Sequence, residues 1–221
     1  MADLQLQIRL ISDTTFGRGD GMAGVVDQEV EHDPVTGLPF IKGRTLKGLL
    51  VEECANILYA LDQTQSPAHE TMKTTALRLF GKPGSDLTGQ AIIHIGTATL
   101  PADISRKVRQ EIANNRLAPQ DVLDALTTVR YQTAVDSERD TPKDNTLRAM
   151  RVILRETEFS APIIVRESLT SYDQALLAAC AASLRRAGLS RNRGRGRIAV
   201  AVSGLEGNAL ANFAQRVRGE S

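Results

Sequence analysis

Arg185-Arg186-Ala187-Gly188-Leu189-Ser190-Arg191-Asn192-Arg193-Gly194-Arg195-Gly196-Arg197 carries six arginines and three glycines with no acid, and the apolar run Ile198 to Val202 follows directly. Upstream, Ser171 to Arg186 is alanine-rich and sets Leu176, Leu177, Cys180 and Leu184 at helical spacing, while Arg197 to Ser203 reads as a strand. The basic stretch is therefore a loop between a helix and a strand. Glycines 194 and 196 let its backbone take positive φ and approach a ligand closely, and the arginines supply forked donors that fit phosphate oxygens. We read the loop as an anion cradle, the plainer alternative being a solvated basic turn.

Working outward, Leu4, Leu6, Ile8 and Leu10 alternate with Gln5, Gln7 and Arg9, the mark of a first strand with one buried face. A loop with Gly17, Gly19, Gly21 and Gly24 follows, then a hairpin from Val25 to Ile41 turning at Asp33-Pro34-Val35-Thr36-Gly37. Leu46, Leu49, Leu50, Cys54, Ile57, Leu58 and Leu61 predict an amphipathic helix over Arg44 to Leu61. Residues 62 to 90 read as a polar excursion that orders only against a neighbour or ligand. Ala91 to Ala98 is the second strand, and Pro101 to Leu126 is helical, with Pro119 opening a second short helix. Thr127 to Val135 and Leu147 to Phe159 are two arms of a projecting β-hairpin, or thumb, tipped by Arg139 to Asn145. Arg151 to Val165 supplies the third strand, and Ala209 to Val217 a tail helix.

The order strand, helix, strand, strand, helix, strand predicts an α+β fold. Its core is ferredoxin-like (RRM-like) βαββαβ, the topology shared by RNA-recognition modules. The expected organisation is one domain over 1–221, with insertions at about 62–90 and 99–150 holding the helical segment and thumb.

With 27 basic and 26 acidic residues the formal charge is only +1, so the basic loop is a local concentration suited to a defined anionic partner. A 42% hydrophobic content over 221 residues suffices for a real core. Cys54 and Cys180 sit in apolar helical patterns and read as reduced core residues, which points to the cytoplasm. No run approaches the roughly 18 apolar residues that span a bilayer, and the start lacks an export signal, so no membrane partner is expected. Aromatic residues are 4% with no tryptophan, which argues against ordinary base stacking and favours backbone contacts.

Gly19-Asp20-Gly21-Met22-Ala23-Gly24 matches a dinucleotide fingerprint, but Val25 to Val30 is extended where that motif needs a helix. Lys42-Gly43-Arg44-Thr45-Leu46-Lys47-Gly48 lacks the glycine-rich turn of a P-loop, so nucleotide hydrolysis is unsupported. It does open a helix, where free amides and the dipole attract anions and Lys42, Arg44 and Lys47 add charge. Asp27, Glu29, Glu31 and Asp33 alternate, placing neighbours roughly 6.6 Å apart on one strand face. That is too wide for one Mg²⁺ with bonds of about 2.1 Å. We read Glu29, Glu31 and Asp33 as a solvated acidic edge, while Asp27 borders the glycine loop and could reach a ligand. His32, His69 and His94 are scattered beyond metal-ligand spacing, and no serine has a nucleophile-elbow setting.

These pieces resemble one family, the RAMP (repeat-associated mysterious protein) superfamily of CRISPR ribonucleoproteins, and within it the repeated backbone subunit of type III effector complexes. Asp27 to Gly48 is similar to the family's block of an aspartate, a D-P-x-T-x-x-P turn, an I-P-G-S-S-L-K-G motif and a helix; Lys42 and Arg44-Thr45 stand where the family has proline and two serines. Gly188 to Arg197 resembles its C-terminal glycine-rich loop. The resemblance implies a CRISPR guide RNA held by Lys42, Arg44, Thr45 and Lys47 and by Arg191, Asn192, Arg193, Gly194, Arg195 and Gly196, with Arg18, Gly19 and Gly21 alongside. It further implies a filament of copies or relatives with other effector subunits, and a thumb that wedges into the guide–target duplex. Asp27 would cut target RNA with a divalent metal, Mg²⁺ or Mn²⁺, the neighbouring 2′-hydroxyl attacking. The alternatives are a non-cleaving guide-binding paralogue and a nuclease that matures guide precursors with a histidine base.

Overall fold

Alternation along Gln5–Leu10 sets the sheet: in the computed structural model, which describes residues 3–19, 21, 26–82, 89–133 and 147–219, this segment is strand β1, with Leu6, Ile8 and Leu10 buried and Gln7 and Arg9 exposed. The other strands are β2 (Ile93–Ile95), β3 (Thr127–Gln132), β4 (Arg148–Ile153), β5 (Glu158–Val165) and β6 (Ile198–Ser203). The helices are α1 (Gly43–Gln63), α2 (His69–Phe80), α3 (Ala102–Ala113), α4 (Pro119–Leu126), α5 (Ser171–Ser183) and α6 (Ala209–Arg218). The main sheet runs β2-β5-β1-β6 with every neighbouring pair antiparallel. Numbered in chain order its strands lie 4-1-3-2, the order of the ferredoxin-like split βαβ unit, and the fold is α+β as expected.

Helices α1, α2 and α5 pack together on one face, and α6 packs on α5. The core forms where Leu6, Ile8, Phe159 and Ile163 meet Leu46, Leu50, Leu176 and Leu177. Helix α5 is buried over most of its circumference, and its alanines 175, 179 and 181 let it lie among several neighbours. Its first turn is fixed by a capping box between Thr170 and Asp173, and buried Asp173 also pairs with Arg78 of α2. Cys54 of α1 and Cys180 of α5 are free and buried, and the neighbouring Cys54 thiol together with burial pushes the Cys180 thiol up. The opposite face of the sheet presents Gln5, Gln7, Arg9, Ser160, Ala199, Ala201 and Ser203, with Gln7 Nε2 donating to Ser160 Oγ at 3.2 Å.

Several boundaries differ from the sequence expectation. The third strand of the sheet begins at Glu158, not Arg151, because the chain turns at Arg155-Glu156, where Glu156 takes φ 68° and its carboxylate meets Arg9. Residues 148–153 pair with β3 instead, so the hairpin is present as a separate two-stranded sheet. Part of the 62–90 excursion is helix α2, which buries Met72, Thr75, Ala76, Leu79 and Phe80 on one side. The Val25–Ile41 hairpin keeps its turn, with Gly37 N donating to Asp33 O at 2.7 Å, but its arms meet only through bridges such as His32 with Pro39. The thumb tip, Asp20, and residues 22–25 and 83–88 lie outside the described residues.

Helix α1 starts hard against the sheet: a Cβ added at Gly43 would stand 2.1 Å from the carbonyl oxygen of Ile95. Gly43→Ala is therefore expected to lower stability by about 1–3 kcal/mol by forcing the helix start away from β2. A urea unfolding midpoint equal to the parent's would contradict this.

Candidate functional site

The chain between β1 and the acidic segment builds the site. Residues 11–18 run as a spine with hydrogen bonds on both edges. On one edge Leu189 N donates to Thr15 O at 2.9 Å, Gly196 N to Asp13 O at 3.2 Å, and Arg197 N to Ser12 Oγ at 2.9 Å. On the other, Ile153 N donates to Thr14 O at 2.8 Å, Arg18 N to Glu29 O at 2.9 Å and Glu31 N to Phe16 O at 2.9 Å. The glycine-rich loop and the acidic segment thus flank one stretch of backbone.

Asp27 is exposed, yet its placement is fixed. Its amide donates to Ala149 O at 2.8 Å and its Oδ2 accepts from Ala149 N at 2.7 Å, so the residue is stitched to β4 of the hairpin. Gly21 lies against the same segment, its Cα side facing the carbonyls of Val26 and Asp27.

The acidic residues beyond Asp27 correct the sequence expectation: Glu29 and Glu31 are buried, not a solvated edge. Glu29, 3% exposed, pairs with Arg151 of β4, 6% exposed, at 2.9 Å. The same guanidinium donates to Asp124 Oδ1 at 2.9 Å and Thr127 Oγ1 at 3.1 Å, and Gln120 together with Arg151 holds the Asp124 carboxyl below its ordinary range. Removing one partner of such a buried pair strands the other charge, at about 3–5 kcal/mol. Glu31 pairs with Lys42, and only Asp33 plays a turn role, accepting from Val35 N at 2.9 Å. The signal in the sequence was an arginine inside the apolar run Ala149 to Ile153.

Lys42 is the N-cap residue of α1 with no side-chain cap, and the first turn has no acid, so the amides there meet no side chain of their own. Arg44 and Thr45 are exposed beside them, and Lys47 is half-buried one turn on. The glycine-rich loop docks on the same helix: Arg191 grips Glu52 through both guanidinium ends, at 2.6 and 3.1 Å. That bond holds the Glu52 carboxyl below its ordinary range. The pair is part-exposed and adds under about 1 kcal/mol, present above the usual glutamate pKa and lost as pH falls through the lowered one.

Asn192 and Arg193 are exposed at the loop's crest, where Arg193 N donates to Ser190 O at 2.9 Å, and Gly194 takes φ 81°. Gly196 needs its φ of 71°, and a Cβ there would stand 2.1 Å from Ala187 O. Arg195 Nη1 is buried with no hydrogen-bond partner among the described residues, the kind of orphaned cationic donor that an anion satisfies. Arg18 and Gly19 stand exposed after Gly17, whose Cα side faces Leu189 of the loop. The structure therefore docks the glycine-rich loop along α1 at Glu52 and against the Gly17–Gly19 turn, and sets Asp27 across the spine from the loop.

His32 bonds Val30 O at 3.0 Å, His69 lies beside Glu70 and His94 is exposed in β2. Among the described residues no three histidine, cysteine or acidic side chains converge to hold a metal, and no helix is long and apolar enough to cross a membrane.

No curated protein sequence matches the chain. Among solved structures it is similar to a chain of the type III-B Cmr-beta complex bound to cognate target RNA, at TM-score 0.61 and 11% identity, covering 91% of this chain and 97% of that one. It is likewise similar to a chain of the same complex in the apo state, at TM-score 0.61 and 12% identity over 91% and 97%. At these identities the likeness is one of fold. The family model of the RAMP superfamily matches residues 7–199, from within β1 to within β6, and so takes in the sheet, the spine and the glycine-rich loop. The chain belongs to the RAMP superfamily.

Proposed function

We propose that the chain is a guide RNA-binding backbone subunit of a type III CRISPR effector complex that cuts complementary target RNA through Asp27. The reading rests on one geometric fact: the spine at residues 11–18 bonds the glycine-rich loop on one edge and the Asp27 segment and β4 on the other. The glycine-rich loop and an exposed carboxylate are thereby held at a fixed offset. Membership of the RAMP superfamily, and a fold like that of chains from target-bound type III-B complexes, support it.

In this reading the guide's phosphates lie over the uncapped start of α1 and the loop, meeting Arg44, Thr45, Lys47, Arg193 and the unpaired edge of Arg195. The open sheet face carries glutamine, serine and alanine rather than aromatics, so contacts to backbone dominate over stacking. Asp27 accepts a hydrogen bond from the attacking 2′-hydroxyl of the target and helps remove its proton. The donor set fits a divalent cation held by one carboxylate and substrate phosphate oxygens, as Mg²⁺ commonly is, with Asp27 as the ligand; Glu29 is committed to Arg151. When bound, such an ion neutralises charge on the phosphate under attack. Neighbouring copies and other effector subunits complete the complex.

The test is what RNA accompanies the protein. Purified from cells carrying a repeat array, it is expected to bring short RNAs with uniform repeat-derived ends. RNA of random ends, or none, overturns the reading. Because Glu52 competes with phosphate for Arg191, Glu52→Gln is expected to bind single-stranded RNA about two- to tenfold more tightly at about 0.1 M salt. Equal or weaker binding in a filter assay would remove Arg191 from the interface.

A further inference from the structure

Around Asp27 the acidic segment and β4 run side by side in parallel register, but only over a single isolated bridge, Gln28 with Met150. Three amide bonds hold them: Asp27 N to Ala149 O at 2.8 Å, Gln28 N to the same oxygen at 3.3 Å, and Arg151 N to Gln28 O at 2.9 Å. So short a ladder fixes register weakly, and a slip of one residue would turn Asp27 to the other face. What singles out the register is side-chain chemistry. Residues 27 and 29 share one face of their segment, as 149 and 151 share one face of β4, so the Asp27 carboxylate meets the Ala149 amide where Glu29 meets Arg151. Arg151 reaches further, to Asp124 on α4 and Thr127 at the start of β3, and so ties both arms of the hairpin and its preceding helix to the acidic segment.

We propose that the buried Glu29–Arg151 pair, with Asp124 and Thr127, is a positioning device that holds the Asp27 carboxylate in register with the thumb. Glu29 and Arg151 touch neither target nor cation; they act through Asp27. This rests on the assignment of target cutting to Asp27. A carboxylate about 1 Å out of place costs up to about 100-fold in rate, so a loosened register shows in turnover rather than in RNA binding.

The test uses the complex reconstituted with guide RNA and measures single-turnover cutting at saturating target. Glu29→Gln, which keeps the shape and loses the charge, is expected to slow cutting about 10- to 100-fold with guide loading and target affinity within twofold. Arg151→Met should do the same, and Arg151→Lys, which keeps the charge but not the fork, should recover part of the rate. Asp173→Asn breaks an ion pair between a buried carboxylate and the part-exposed Arg78 on other helices and supplies the structural control, with cutting within twofold of parent. Amide hydrogen exchange on the purified chain gives a second readout: Glu29→Gln should speed exchange at Asp27 and Ala149 while β1, β5 and β6 keep their protection.

Parental cutting by Glu29→Gln in a complex that Asp27→Ala silences overturns the inference, as does a loss matched by Asp173→Asn. Unchanged exchange at Ala149 overturns it independently of activity. Should Asp27→Ala itself cut normally, the cleavage assignment falls, and exchange alone then decides whether the pair sets the register.

Discussion

A complex reconstituted with Asp27→Ala subunits is expected to cut complementary target RNA about 10²- to 10⁴-fold more slowly than its parent, with guide loading unchanged. The magnitude is that of losing a positioned general base. The direction follows from geometry: Asp27 is exposed, so its removal costs the core little, and it is bonded through Oδ2 to Ala149, so its carboxylate is presented in one place. Asp27→Asn separates charge from placement, because the amide oxygen can still accept from Ala149 N. If placement alone mattered, Asn would cut like Asp; the chemistry proposed here predicts that it resembles Ala. Cleavage products at regular spacing, resolved on a denaturing gel, are the readout, and parental cutting by both variants would remove Asp27 from the reaction.

Arg193→Glu is expected to weaken guide RNA binding about 10- to 100-fold, the scale of losing one hydrogen bond to a charged group and adding a repulsion. The salt dependence should flatten as well, by about 0.7 in the slope of log affinity against log salt for each phosphate that the loop no longer neutralises on a single strand. Arg193 is the informative choice because it is exposed at the loop crest and, among the described residues, meets no carboxylate, whereas Arg191 is already held by Glu52. Stability should stay within about 0.5 kcal/mol, as for other surface substitutions. Identical binding by mutant and parent across a salt titration would show that the loop does not touch RNA.

Much of the fold was legible because half-buried elements write their period into the sequence. The alternation of Leu6, Ile8 and Leu10 and the spacing of Leu46, Leu50, Cys54 and Leu61 gave β1 and α1 nearly to the residue. The order of elements then gave the sheet. What the sequence hid were features decided by distant partners. Glu29 finds Arg151 across 122 positions, so an acidic alternation that looks solvated in isolation is a buried network. The turn between β4 and β5 carries no sequence mark because Glu156 takes a positive φ without a glycine to advertise it, leaving Leu147 to Phe159 and Arg151 to Val165 to read as overlapping extended runs. Helix α2 was obscured by its polar outer side, although Met72, Ala76, Leu79 and Phe80 recur at helical spacing. For the site, residue type alone nominated the glycine-rich loop and the helix start, but it gave no sign that Arg191 docks the loop on Glu52 along α1.

The spine at residues 11–18 touches the loop with one edge and the hairpin base with the other, so a single stretch of eight residues works as a ruler. Lengthening the thumb or the helical insert leaves that gauge untouched, since neither lies between its two marks. Under the proposed function, an insertion between Ser12 and Arg18 would instead shift where a strand is cut relative to where it is gripped, which makes this short connection the place to engineer a displaced cutting position.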